Sequence, residues 1–292
     1  MNKEKFTGIF PALITPFDNE GKINFEALEK VIDYDLEKGV KGFYVCGSTS
    51  EVFKLTEAER YEIYKKCAEF AKGRCTLIAH VGTFSTEQTI KYGKFCEELG
   101  YDAISAVTPF YFGYTSDDIV RYYLDIANSV NIPLFLYHIP SRSGVNMPFS
   151  SLKQLLGHPN VAGMKFTSND YYTFERLRKA FPEKVLLNGF DEMLICGLAC
   201  GADGAIGSTY NLIPETFVKI FDLCKQNKFD EALKVQGEGN DMLDYLIGLK
   251  DGLATLKFAM KELLGIDCGT TREPCGTLTP EWKENFLKTY KK

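Results

Sequence analysis

The sequence predicts one (β/α)8 barrel, a TIM barrel, with additional C-terminal helices. Three observations predict it: short β-rich runs alternate with helix-period segments, eight such units fit into ~220 residues, and no linker separates the copies. Crossovers this short favour a closed barrel over an open doubly wound sheet. The open sheet also lacks its usual phosphate motifs, since no G-x-G-x-x-G follows the first strand and no P-loop occurs. Residues 1–292 are expected to form a single domain, with the barrel in 1–225 and a helical extension in 226–292.

The candidate strands are 8–15, 42–47, 76–81, 103–108, 133–138, 161–166, 185–190 and 204–208. Amphipathic stretches lie between them. Ile119, Tyr122, Tyr123, Ile126 and Val130 recur at spacings of three and four, which places one apolar stripe on a helix face. Thr56-x-x-Glu59, Ser85-x-x-Gln88 and Ser151-x-x-Gln154 have the form of capping boxes, in which side chains satisfy orphaned backbone N–H groups. Gly39, Gly73, Gly100 and Gly201 are expected to end helices, because glycine accepts left-handed dihedrals. Beyond Pro214 the pattern becomes helical. Phe229 to Leu249 and Leu253 to Leu264 read as helices, and Thr279-Pro280 reads as an N-cap followed by proline in the first turn. These segments either cover a barrel face or build a subunit interface.

Composition narrows the function classes. Hydrophobic residues make up 45% and charged residues 25% of the chain, which suits a packed globular protein and neither a disordered nor a fibrous one. A formal net charge of −5 and a pI near 5.5, without any basic cluster, argue against nucleic-acid and anionic-membrane partners. The apolar stretches are too short to span a bilayer, and the segment from Met1 to Phe6 lacks the apolar run of a secretory signal. Nine cysteines without C-x-x-C spacing read as reduced thiols, so a cytoplasmic address is expected. With only His80, His138 and His158 available, no metal centre is expected.

In a (β/α)8 barrel the chemistry gathers at the C-terminal ends of the strands. Reading only those ends collects Gly47-Ser48-Thr49, His80, Tyr111, Tyr137, Lys165, Thr167, Gly189, Asp191, Glu192, Gly207 and Ser208. Lys165 is the most informative, because it lies in the apolar run Val161-Ala162-Gly163-Met164-Lys165-Phe166, which reads as a buried strand. Desolvation lowers an amine's pKa, and the neutral fraction attacks a ketone to give an electron-withdrawing iminium. The competing reading is a lysine whose head escapes to solvent or pairs with a carboxylate. Tyr137, one strand earlier, is placed to relay a proton beside that cation, or is one more buried aromatic among 16 tyrosines. The small residues and free N–H groups of Gly47-Ser48-Thr49 suit a carboxylate nest, or simply a turn. His80 and His138 read more readily as hydrogen-bonded structural residues than as metal ligands.

These residues resemble a known family, the pyruvate-dependent class I aldolases that include N-acetylneuraminate lyase and dihydrodipicolinate synthase. The resemblance runs from Gly8-Ile9-Phe10-Pro11-Ala12-Leu13-Ile14-Thr15-Pro16-Phe17 to the tail. It is carried by Gly47-Ser48-Thr49-Ser50-Glu51, Tyr137-His138-Ile139-Pro140, Gly163-Met164-Lys165 and Gly204-Ala205-Ile206-Gly207-Ser208-Thr209. Ala79-His80-Val81-Gly82, Lys165-Phe166-Thr167 and Asn188-Gly189-Phe190-Asp191-Glu192 are more similar to the sialic acid lyases. The resemblance implies that Lys165 forms a Schiff base with the keto acid, that Tyr137 relays the proton, and that no cofactor or metal is needed. It implies that Ser48 and Thr49 hold the pyruvyl carboxylate, and that Thr167, Gly189, Asp191, Glu192, Gly207 and Ser208 bind a polyhydroxy sugar acid. It further implies a homotetramer in which Tyr111 stands near a neighbouring subunit's site.

Three positions depart from the family pattern. Ser50 stands where glycine is common, His138 where asparagine is frequent, and Ser141-Arg142 resembles the synthase branch, whose arginine receives a second carboxylate. Lyase action on a sialic acid, giving N-acetylmannosamine and pyruvate, is therefore the first expectation. A dihydrodipicolinate synthase or other 2-oxo acid aldolase is the second, and a non-catalytic sugar-acid binder on the same fold the third. A metal-dependent aldolase is the remaining alternative.

Overall fold

The computed structural model describes residues 2–71, 73–247, 252–276 and 278–291. All eight expected strands are present: β1 (Gly8–Pro11), β2 (Gly42–Val45), β3 (Thr76–His80), β4 (Ala103–Val107), β5 (Leu134–His138), β6 (Val161–Phe166), β7 (Val185–Asn188) and β8 (Gly204–Gly207). From β2 to β8 each strand pairs in parallel with the next, and β8 pairs in parallel with β1. The seam between β1 and β2 is closed by Lys41 N–H donating to Ile9 C=O at 2.8 Å, Leu13 N–H to Tyr44 C=O at 3.0 Å and a bridge between Ala12 and Tyr44. This is the barrel that the sequence predicts.

Several strands are shorter than expected, most of all the first. Past Pro11 the chain changes partner at each residue: Ala12 N–H bonds Gly207 C=O, Leu13 N–H bonds Tyr44 C=O, and Ile14 N–H bonds the Asn211 side chain. No regular ladder survives such switching, although residues 12–15 remain buried and read from sequence like a strand.

The helices follow their end signals in most cases. Thr56 and Glu59 form a reciprocal box, with Glu59 N–H on Thr56 Oγ1 at 3.2 Å and Thr56 N–H on Glu59 Oε2 at 2.8 Å. Ser85 caps Gln88 N–H, but the Gln88 amide turns to Glu57 Oε1 instead of reaching back. Ser151 is not a cap. Its helix begins at Phe149 behind Pro148, whose fixed φ starts the turn three residues earlier than a Ser151 cap would. Gly39, Gly73, Gly100 and Gly201 all have positive φ, as expected of helix stops. The Ile119, Tyr122, Tyr123 and Ile126 stripe is buried on the helix Ser116–Ser129, with Val130 beyond its end.

Beyond the barrel, the expected helix Phe229 to Leu249 runs from Phe229 to Ile247, and Gly248 and Leu249 lie outside the described residues. The expected segment Leu253 to Leu264 is the helix Gly252–Ala259 followed by a π-turn, Met260–Leu264. Thr279 caps Trp282 N–H, with Pro280 in the first turn as read. Apolar residues of the helices Pro214–Lys225 and Phe229–Ile247 form a core with Ile9 and Ala205. The inner core of the barrel holds Phe10, Tyr44, Phe135, Tyr137, Leu187 and Ile206, and Phe6 packs edge-on against Phe135 at the end where the strands begin.

One buried group opposes this packing. Asp35, fully buried on the helix Phe25–Glu37, has no hydrogen-bond partner for either carboxylate oxygen among the described residues. Burial, reinforced by the charge of Glu215, pushes its pKa well above the usual carboxylate value. With the folded-state pKa raised, the stability this group contributes is complete below the unfolded value and is lost as pH rises through the folded one. Asp35→Asn is therefore expected to be more stable than the parent by about 1–3 kcal/mol at alkaline pH, with the gap closing toward the carboxylate range. Urea melts of both proteins at about pH 5 and about pH 9 test this, and a gap that does not narrow on acidification would refute it.

Candidate active site

At the C-terminal end of the barrel a cavity of about 410 Å³ opens among the βα loops. Ser48, Thr49, Tyr137, Arg142, Lys165, Thr167, Gly189, Asp191, Glu192 and Ser208 line it. The fold thus gathers onto one surface residues spread over 161 positions of chain. Tyr111 and Gly207 are not part of that lining.

Lys165 and Tyr137 are brought together by strand register. Tyr137 of β5 stands opposite Lys165 of β6, which stands opposite Leu187 of β7, and all three face the barrel interior. Lys165 is 6% exposed, and its Nζ lies 4.4 Å from the centre of the Tyr137 ring and 4.7 Å from that of Tyr44. It has no hydrogen-bond or ion-pair partner among the described residues. Neither competing reading, escape to bulk solvent or pairing with a carboxylate, describes its position. The two ring faces lie against the amine without taking a hydrogen bond from it, and Lys165 lines the cavity. Tyr44, whose hydroxyl donates to Ser105 Oγ at 3.0 Å, borders the Lys165 amine without lining the cavity, and strand-end reading passed over it because it sits inside β2.

The loop after β2 forms a short 3-10 turn, Ser48–Ser50, that presents Ser48 and Thr49 to the cavity. Ser50 does not disturb it. Left-handed dihedrals fall on Cys46 and Glu51, each at φ 57°, and not on Ser50, whose hydroxyl donates to Leu13 C=O at 2.5 Å and ties the loop to the segment after β1. Glu51 is buried and accepts from Lys257 Nζ at 2.7 Å, Lys54 Nζ at 3.0 Å and Arg272 N–H at 2.9 Å. The C-terminal segment is thereby pinned onto the Ser48-Thr49 loop. Leu246, Gly252, Leu256 and Cys275 complete the cavity wall, so part of the tail covers the working face of the barrel.

On the opposite wall Asp191 is buried and accepts from Thr209 N–H at 2.8 Å, Thr209 Oγ1 at 2.7 Å and Ser208 Oγ at 3.4 Å. Burial raises its pKa, and the bonds from Thr209 and the charge of Lys165 oppose that rise. Burial also raises Glu192, with Asp191 adding to it. Two glycines make this close fit possible. A Cβ on Gly207 would lie 2.1 Å from Asp191 Oδ1, and one on Gly189 would lie 1.9 Å from Thr167 Oγ1. Gly207 therefore leaves room for the carboxylate and does not itself face the cavity. Thr209 was missed by strand-end reading although it closes the Gly204 to Thr209 motif.

The histidines take no part in the lining. His80 accepts Val107 N–H on Nε2 at 3.2 Å, which leaves Nδ1 to donate to Cys46 C=O at 2.9 Å. Burial and the nearby Arg60 hold its pKa well below the ordinary value, so it is neutral. His138 stacks on Phe166 outside the barrel interior, and burial lowers it to about 4. Tyr111 is 76% exposed, edge-on to Phe112 and Phe84 in an aromatic patch with Phe53 and Phe110. Arg142 reaches the cavity from the short helix Pro140–Ser143 and has no ion-pair partner among the described residues.

Residues 5–292 match the family model described as the Dihydrodipicolinate synthetase family. The chain is 39% identical over 287 residues to the N-acetylneuraminate lyase of Fusobacterium nucleatum subsp. nucleatum, covering 98% of both chains. It is similar in structure to CdNal from Clostridium difficile in complex with mannosamine, at TM-score 0.93 and 39% identity, covering 98% of each chain. It is also similar to the N-acetylneuraminate lyase of Fusobacterium nucleatum complexed with pyruvate, at TM-score 0.91 and 38% identity, covering 99% of this chain and 98% of that one.

Proposed function

We propose, starting from the fact that this chain belongs to the dihydrodipicolinate synthetase family, that it is a lyase that reversibly cleaves N-acetylneuraminate to N-acetylmannosamine and pyruvate through a Schiff base. The observation that carries the reading is the buried amine of Lys165, without a hydrogen-bond or ion-pair partner among the described residues, beside Tyr137 and Tyr44 in a cavity that Asp191 and Glu192 also line. The chemistry follows from that placement. Lys165 Nζ adds to the C2 carbonyl of the open-chain sugar acid, and the Tyr137 hydroxyl delivers the proton that lets water leave. The iminium accepts the electron pair of the C3–C4 bond as it breaks, while the C4 hydroxyl returns a proton to the Tyr137 oxygen and becomes the carbonyl of the amino sugar. Protonation of the enamine at C3 and addition of water then release pyruvate and restore the amine. No step uses a metal or a cofactor.

Ser48 and Thr49 hold the carboxylate of the pyruvyl half. Thr167, Gly189, Asp191, Glu192 and Ser208 take the hydroxyl groups, since carboxylates accept hydrogen bonds well and repel a second acid. The exposed Tyr111 patch supports a homotetramer in which this face meets a neighbouring subunit, because exposed aromatic clusters of this kind mark protein contacts. Nine unpaired cysteines support a reducing, cytoplasmic location, and no helix among the described residues is long and apolar enough to cross a membrane.

Arg142 favours a second reading within the same chemistry. Its guanidinium, at the cavity and without an ion-pair partner among the described residues, is suited to a second substrate carboxylate, as in condensation of pyruvate with an aldehyde acid. Parallel assays of sialic acid cleavage and of pyruvate condensation with aspartate semialdehyde separate the two. For a sialic acid lyase, Arg142→Ala is expected to change kcat/KM for cleavage by less than about threefold. A loss of about 100-fold or more, with condensation the faster reaction in the parent, would transfer the assignment to the second reading.

A further inference from the structure

Asp191 and Glu192 lie in a 3-10 turn, Asp191–Met193, between β7 and the helix Leu194–Ala199, and such turns leave backbone carbonyls and the first helical N–H groups to be satisfied from elsewhere. Here they are satisfied from the C-terminal extension. Gln236, on the helix Phe229–Ile247, is buried, and its Nε2 donates to Asp191 C=O at 3.2 Å while its Oε1 accepts Ile195 N–H at 3.2 Å. The same Nε2 donates to Asn240 Oδ1 at 2.9 Å, and Asn240 Nδ2 donates to Glu192 C=O at 3.2 Å. Gln236 and Asn240 are one helical turn apart on one face, so a single rigid element grips both carbonyls of the acidic pair. The Asp191 side chain is fixed separately by Thr209, so backbone and side chain of that residue are located from two directions. Among the described residues no hydrogen bond links this helix to Ser48 or Thr49, in the turn after β2, or to Lys165 of β6.

We infer that Gln236, with Asn240 as its relay, is a positioning residue for the sugar half of the substrate. It holds the Asp191-Glu192 turn at the height where the two carboxylates meet hydroxyl groups, and it leaves the pyruvate half untouched. This rests on the assignment of Asp191 and Glu192 to hydroxyl recognition made above. The bonds involved are individually modest, but hydroxyl recognition by two fixed acceptors is sensitive to displacements well below an ångström.

Steady-state cleavage of N-acetylneuraminate and borohydride trapping of pyruvate are compared in four full-length proteins: the parent, Gln236→Met, Gln236→Glu and Asp191→Asn. Gln236→Met keeps the length and removes every bond, whereas Gln236→Glu retains the acceptor for Ile195 N–H and loses the donor to Asp191. The expected result is a KM for the sugar acid raised at least about tenfold in Gln236→Met and by less in Gln236→Glu, with the pyruvate concentration for half-maximal trapping within about twofold of the parent. An unchanged KM in Gln236→Met overturns the inference, as does an equal loss of trapping and cleavage in both Gln236 variants, which would mark a general support of the fold. Failure of the functional reading itself looks different: Asp191→Asn would then leave sugar-acid kinetics unaltered, or the parent would not cleave the sugar acid at all.

Discussion

Lys165→Ala is expected to abolish turnover, lowering kcat/KM by at least about 10⁴-fold, or more than about 5 kcal/mol of barrier. The reason is chemical, because without the amine no iminium exists to accept the electrons of the breaking bond, and neither Tyr137 nor the polar wall supplies another sink. The fold is expected to survive. Nζ makes no hydrogen bond or ion pair among the described residues, so its removal strands no partner, and the shortened side chain borders a cavity that is already open. Incubation with pyruvate and borohydride, followed by mass spectrometry of the digested protein, checks the claim: the parent carries the adduct on the peptide containing Lys165 and the variant carries none. Turnover retained in the variant, or an adduct on another lysine, would remove the basis of the mechanism.

The second large effect concerns stability. Lys257 and Glu51 form a pair in which both side chains are almost wholly withdrawn from water. Pairs of this kind contribute little against an apolar substitute, but removing one partner leaves a buried charge and costs about 3–5 kcal/mol. Lys257→Met is therefore expected to destabilise the protein by about that amount, only partly relieved by the remaining donors Lys54 and Arg272. Lys288 and Glu284, an exposed pair of similar length, should contribute little and serve as the control. Adding Glu51→Gln to Lys257→Met should restore most of the loss, and urea unfolding of the two single variants and the double variant measures the coupling. Strict additivity of the two changes would show that the pair does not act as a unit. Because Glu51 lies two residues after Thr49, the single variant should also weaken the carboxylate capture proposed for Ser48 and Thr49.

Much of the barrel was legible in the chain. A strand of a parallel sheet is covered on both faces, so its residues are apolar throughout, and each of the eight strands lies within its expected run or differs by one residue at its start. Helix ends were legible wherever one residue type satisfies a local backbone requirement, as at Thr56 or Gly201. Ser151 shows the limit of that reasoning, since a capping-box pattern loses to a proline that starts the helix earlier. The strand-end rule located most of the cavity, because in this fold position along the chain maps onto height in the barrel. It missed Tyr44, which reaches the site from inside its strand, and it missed Gln236 and Asn240, which look like ordinary polar residues of a surface helix.

By itself, then, the amino-acid order determined where the chain runs as strand or helix, and which reactive side chains stand at the strand ends, because those features depend on periodicity and on neighbours a few residues away. Only the tertiary structure decided that the Lys165 amine lies between two phenol rings instead of in solvent or an ion pair. It decided that Glu51 carries the strained dihedrals in place of Ser50, that Gly207 makes room for Asp191, and that the tail closes over the working face. Each of these depends on contacts between segments far apart in the chain, where the distance of closest approach is set by packing and leaves no local signature.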